Sequence, residues 1–176
     1  MQFINRVFLA HYSPDALAAC VPGGILSFTL ICFFMGTATY TNAFVAQYYG
    51  RGKTASVSVA VWQGVWLSLA SGLILLLLTP LGFYIISHSG HAPSVQALEK
   101  PYFAILNSFA IFPLLNTALA AFFVGRGKTI VPMAVNIAGS ALCVLTSWLL
   151  IFGAGPLPAQ GIAGAAYAAV LGQVLM

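Results

Sequence analysis

Gly-Arg-Gly-Lys-Thr occupies residues 50–54 and recurs, residue for residue, at 125–129. Each copy separates two long apolar stretches, and together they hold Arg51, Lys53, Arg126 and Lys128, four of the six Lys and Arg residues in the chain. Two turns separated by an even number of bilayer crossings lie on one side, and basic short loops assign that side to the cytoplasm. The expected fold is therefore a set of membrane-crossing helices with loops 48–54 and 125–129 cytoplasmic.

Composition points the same way. The chain is 61% hydrophobic and 5% charged, with a mean hydropathy of +0.99, far from the balance of a water-soluble domain. Its net charge of +4 comes largely from the two turns, so it reports orientation and headgroup contact and gives no nucleic-acid surface. Cys20, Cys32 and Cys143 are solitary, lie in apolar stretches, and read as packing residues.

Residues 1–10, with Asn5 and Arg6 inside a short apolar stretch, lack the ordered regions of a secretory signal and read as the tail of a longer helix. The apolar segment 161–176 is short of the roughly 20 residues that span hydrocarbon, so the chain is expected to be a fragment. Between these truncated helices the expected spans are 22–47, 55–86, 94–124 and 130–152. Pro22 is placed in a first turn and Ser94 at an N-cap. Pro80 is expected to weaken the outer end of its span, while Pro101 and Pro113 predict kinks. Gly155, Pro156 and Pro158 form a turn, and Gly164, Ala168 and Gly172 recur every four residues as a smooth packing strip.

Gly-Lys-Thr is also the end of a phosphate-binding P-loop, but that motif needs a glycine where Gln47 and Phe122 stand. The acids Asp15 and Glu99 form no carboxylate pair, and Asp15 reads as a helix-start residue. His11, His88 and His91 fall in outer loops without the close spacing of a zinc site, so no metal site is assigned and no enzyme is expected. The more informative polar pattern is Asn136, Ser140, Cys143 and Ser147, which share one face of a helix. Thr37, Thr41, Asn42, Asn107 and Asn116 are companions on other helices. Such groups either hydrogen-bond between helices or line a wet cavity.

The order of landmarks resembles the multidrug and toxic compound extrusion (MATE) transporters. The matching text is Phe8-Leu-Ala-His-Tyr-Ser with Ala16-Leu-Ala-Ala, Phe44-Val-Ala-Gln-Tyr-Tyr-Gly, Gly125-Arg-Gly-Lys-Thr, and Gly161-Ile-Ala-Gly-Ala-Ala-Tyr-Ala, spread over nearly the whole chain. The resemblance implies an all-α polytopic membrane protein, a partial amino-terminal six-helix lobe of a twelve-helix transporter in the cell membrane, with a bacterial inner membrane expected. It further implies alternating access, with efflux of cationic or amphipathic organic compounds in exchange for sodium or protons. The implied partners are the lipid bilayer, a small organic substrate and the second lobe; no cofactor beyond the coupling ion is implied.

The chain departs from the family pattern where many members carry an aspartate, matched here by Asn5, and where some carry an asparagine and an aspartate, matched near Cys143 and Ser147. No carboxylate stands at any of the three, so the lobe is expected to lack an intramembrane acid. Cavity candidates are Asn5, Arg6, Thr37, Thr41, Asn42, Asn107, Asn136, Ser140 and Ser147. Arg6 either snorkels to the interface or supplies fixed positive charge to a cavity. Alternative readings are a flippase of lipid-linked oligosaccharides, which needs more cationic groups in its cavity, and a non-transporting scaffold.

Overall fold

The computed structural model describes residues 2–153 and 159–176. Its helices are α1 (Gln2–Tyr12), α2 (Pro14–Gly50), α3 (Thr54–Leu77), α4 (Thr79–Ser87), α5 (Pro93–Ser108), α6 (Ile111–Val124), α7 (Ile130–Phe152) and α8 (Gly161–Val174). Among the described residues, four spans are long and apolar enough to cross a membrane: Pro14–Gly50, Thr54–Ser87, Pro93–Val124 and Ile130–Phe152. Large apolar side chains cover the exterior, and several polar ones are buried. Phe33, Trp62, Trp66 and Leu77 point outward, whereas Asn5, Ser27, Ser68, Asn107 and Ser147 are buried. Lipid rewards that arrangement, because polar groups facing hydrocarbon have no partners.

The second helix begins eight residues before the expected start at Pro22, which lies inside it. Its actual start uses Ser13 in an extended conformation, Pro14 in the first turn and Asp15 near the positive end of the helix dipole. Pro22 removes one backbone bond, but the adjacent Gly23 and Gly24 let α5 pack closely; a Cβ on Gly23 would lie 3.2 Å from Glu99 Cγ. At 37 residues, α2 is roughly 55 Å long and extends beyond the hydrocarbon layer.

The third span breaks at Leu78, immediately before Pro80 takes a first-turn position in α4. Asn107 staples this break: its Nδ2 donates to the Leu75 carbonyl at 2.6 Å and to Thr79 Oγ1 at 2.9 Å. Asn107→Ala is expected to lower stability by about 1–3 kcal/mol by removing both bonds and leaving a void at the break, read as thermal unfolding in detergent. The fourth span starts with Ala92 as N-cap and Pro93 in the first turn, so Ser94 is already helical. Proline favours that slot because its missing N–H would be unpaired there anyway. The same span breaks at Phe109 and Ala110, just before Pro113. Pro113 has no N–H to offer Phe109, whose carbonyl instead accepts from Phe112 N–H at 3.1 Å. Pro101 remains inside α5.

Helix α7 has the expected bounds, closed by Gly153 in the left-handed region at φ 70°. The expected turn at Gly155, Pro156 and Pro158 lies outside the described residues. The strip of small residues on α8 is buried against α7: a Cβ on Gly164 would stand 2.5 Å from the Leu150 carbonyl oxygen, and one on Gly172 would stand 2.8 Å from Cys143 Cβ. Helix α2 is the hub, packing on α5, α3 and α6, while α1 fits among α2, α7 and α8. Arg126 of the second basic turn lies over Tyr49 beside the first, so both turns sit at one end of the bundle.

Candidate functional site

An internal cleft of about 210 Å³ opens between α1, α2, α5, α6 and α8. Helix α2 supplies Ser27, Phe28 and Met35, α5 supplies Tyr102 and Leu106, and α8 supplies Gln173. Phe109 from the break between α5 and α6 also lines the cleft, as does Pro113 just beyond it. Irregular backbone at membrane depth is tolerated where it borders such a cavity.

Asn5 forms the wall contributed by α1. Its Nδ2 donates to the Ala165 carbonyl at 3.3 Å, and its Oδ1 accepts from Ser147 Oγ at 2.6 Å. Cys143 Sγ lies 3.9 Å from the same Ser147 hydroxyl. The three positions singled out by the family pattern are therefore one buried cluster on α1 and α7. All three side chains are neutral amide, hydroxyl or thiol groups, and the cluster ties α1 to α7 and α8.

Tyr102 is anchored by Cys20, whose thiol donates to the phenol oxygen at 3.4 Å. Gln173 is held by Asn116, whose Nδ2 donates to its backbone oxygen at 2.7 Å and its Oε1 at 3.2 Å. Ser27 differs from these: it is 1% exposed, and its Oγ has no hydrogen-bond partner among the described residues. Because Ser27 borders the cleft, its unpartnered hydroxyl becomes a contact for a solute or water once the neighbouring side chains move.

Most sequence-derived cavity candidates lie elsewhere. Arg6 is half-buried on α1 but does not line the cleft. Thr37 is exposed and bonds to Phe34 O within its own helix, and Asn136 likewise bonds to Pro132 O. Thr41 packs against Gly64, where a Cβ would meet its Oγ1 at 2.5 Å. Asn42 is half-buried away from the cleft, as is Ser140, and Asn107 serves the α3–α4 break. Ser147 stands behind Asn5. Sequence reading missed Ser27, Tyr102, Met35 and Gln173; among these, only the smallness of Ser27 beside two glycines marked the surface α2 turns inward.

Glu99, expected near the start of the fourth span, is buried by the fold. It is 2% exposed inside α5 and packed against α2, and it accepts a hydrogen bond from His91 Nδ1 at 3.0 Å. His91 is accordingly docked onto α5, whereas His88 stacks on Tyr84 with ring centroids 4.3 Å apart. The pair lies near the start of α5, one helical turn from Tyr102.

An apolar exterior, buried polar side chains that bond between helices, broken spans and an internal cleft define a polytopic α-helical membrane protein. The chain belongs to the MatE family, whose profile matches residues 1–149. It is 31% identical over 168 residues to a probable multidrug resistance protein NorM of Agrobacterium fabrum, covering 95% of this chain and 36% of that protein. The corresponding protein of Rhizobium meliloti is 35% identical over 155 residues, covering 88% and 33%. The chain thus spans about a third of the length of these relatives. A solved inward-facing multidrug resistance MATE transporter of the MOP superfamily superposes with a TM-score of 0.87 at 20% identity, covering 99% of this chain and 40% of that one. A MOP superfamily transporter from Pyrococcus furiosus, described as having a binding pocket of reversed polarity, gives 0.85 at 20% identity, covering 98% and 37%. These two likenesses establish the fold.

Proposed function

We propose that the chain is the amino-terminal lobe of a secondary antiporter that exports amphipathic organic compounds by alternating access, with the basic turns cytoplasmic. The observation that carries this reading is the cleft whose wall includes the α5–α6 break, because a discontinuous helix beside a binding cavity can change shape without stranding its backbone in lipid. Phe28, Tyr102 and Phe109 offer aromatic faces to an apolar or cationic solute, and Ser27 offers a hydrogen bond. Multidrug resistance relatives support the same reading. An ion gradient, of sodium or protons, would bias the two access states.

The oligosaccharide flippase reading is less well supported, because among the described residues no Lys or Arg lines the cleft to hold a pyrophosphate. Cysteine placed at Met35 in the full-length product tests solute entry. Maleimide labelling of Met35→Cys is expected to slow about tenfold with saturating tetraphenylphosphonium, as for a site at least nine-tenths occupied. Unchanged labelling during demonstrated tetraphenylphosphonium transport would place the pathway elsewhere.

A further inference from the structure

We propose that a second cleft, between the two basic turns, binds the phosphate of an anionic phospholipid headgroup. This cleft, of about 200 Å³, is lined by Tyr49, Thr54, Val57, Ser58, Phe122 and Arg126. The Arg126 guanidinium carbon stands 4.6 Å from the Phe122 ring centroid and 5.5 Å from that of Tyr49. Two aromatic rings from different helices thus hold a planar cation at the cleft wall. Stacking leaves its N–H edge available for the paired hydrogen bonds that a phosphate accepts.

Three further observations favour a phosphate. Arg126 forms no ion pair among the described residues, and the chain's two acids lie toward the other end: Asp15 opens α2 and Glu99 lies near the start of α5, whereas the turns follow the ends of α2 and α6. Arg51, Lys53 and Lys128 add positive charge nearby. Thr54 and Ser58 stand one turn apart on α3, and Lys53 at its N-cap makes no side-chain bond to the first-turn N–H groups. Ser56 N–H already bonds to the Lys53 carbonyl at 3.1 Å, so it is the positive end of the α3 dipole that adds to the field.

The apolar walls choose the source of the phosphate. Tyr49, Val57 and Phe122 line a site at the ends of membrane-crossing helices, where lipid headgroups and glycerol backbones reside. A soluble phosphate would gain nothing from these walls.

Retention of phosphatidylglycerol against phosphatidylcholine by the full chain in mixed micelles, read by native mass spectrometry, tests the assignment. Arg126→Gln removes the cation, and Ser58→Phe fills the cleft without altering charge. Each is expected to lower phosphatidylglycerol retention about tenfold, the scale of a lost charge-assisted hydrogen bond. Lys128→Gln, outside the cleft, is expected to lower it about threefold or less. Inorganic phosphate at equal concentration is expected not to displace the lipid. Equal losses in Lys128→Gln and Arg126→Gln, full retention in Ser58→Phe, or displacement by inorganic phosphate would overturn the proposal. If Arg126→Gln does not fold, Ser58→Phe and Lys128→Gln decide.

Discussion

Gly164→Val is expected to separate α7 from α8 and destabilise the protein by about 3 kcal/mol, at the upper end of overpacking effects. The reason lies in the backbone. A Cβ at this position would sit 2.5 Å from the Leu150 carbonyl oxygen and 2.8 Å from its carbon. That carbonyl cannot swing aside freely, since it accepts from Gln160 N–H at 3.0 Å just before α8 begins. Gly36 provides the control because a Cβ there meets nothing within 4 Å. Gly36→Ala is expected to be neutral or to add up to about 1 kcal/mol through helix propensity. Thermal unfolding in detergent separates the two, and equal melting temperatures would remove close helix approach as the source of this contact's stability.

Ser27 is expected to trade stability against transport. Its buried hydroxyl has no protein partner, so Ser27→Ala should leave stability unchanged or raise it by about 1 kcal/mol. The same change removes the cleft's free hydrogen-bonding point and should lower efflux of hydrogen-bonding substrates about fivefold to tenfold. Ser27→Leu occupies the cleft as well and should reduce efflux further, across substrates with and without hydrogen-bonding groups. Parallel unfolding and efflux assays distinguish this from simple misfolding, because the Ala variant is predicted to lose efflux without losing stability. A fall in both would identify Ser27 as a packing residue.

Local signals made much of the architecture legible. Helix α7 matches its expected bounds because proline is tolerated in a first turn, where Pro132 stands; the left-handed Gly153 that closes it is seen only in the structure. The repeated basic turns correctly marked two helix ends that meet at one end of the bundle. Pro22 misled because the start signal is Ser13-Pro14-Asp15, and glycine-assisted packing keeps the helix continuous through the proline. Asn107 was legible as a buried polar group, but its role at the Leu78 break depends on an approach between α3 and α5 that no local pattern encodes. Ser27, Tyr102 and Gln173 were hidden for a related reason. The apolar residues of helix α2 are spread around its circumference and single out no one face, so only its neighbours determine which side faces the cleft. Asn5, Cys143 and Ser147 were linked through family resemblance, and the hydrogen bond between α1 and α7 gives that link a physical form.

Solute flux through the cleft is tested most directly in proteoliposomes containing the full-length product, with a fluorescent lipophilic cation and an imposed sodium or proton gradient. Uphill movement is expected that collapses when the gradient is dissipated and is nearly abolished in Ser27→Leu, while Lys128→Gln retains it. Gradient-independent leakage, or full uphill transport in a folded Ser27→Leu protein, would contradict the account.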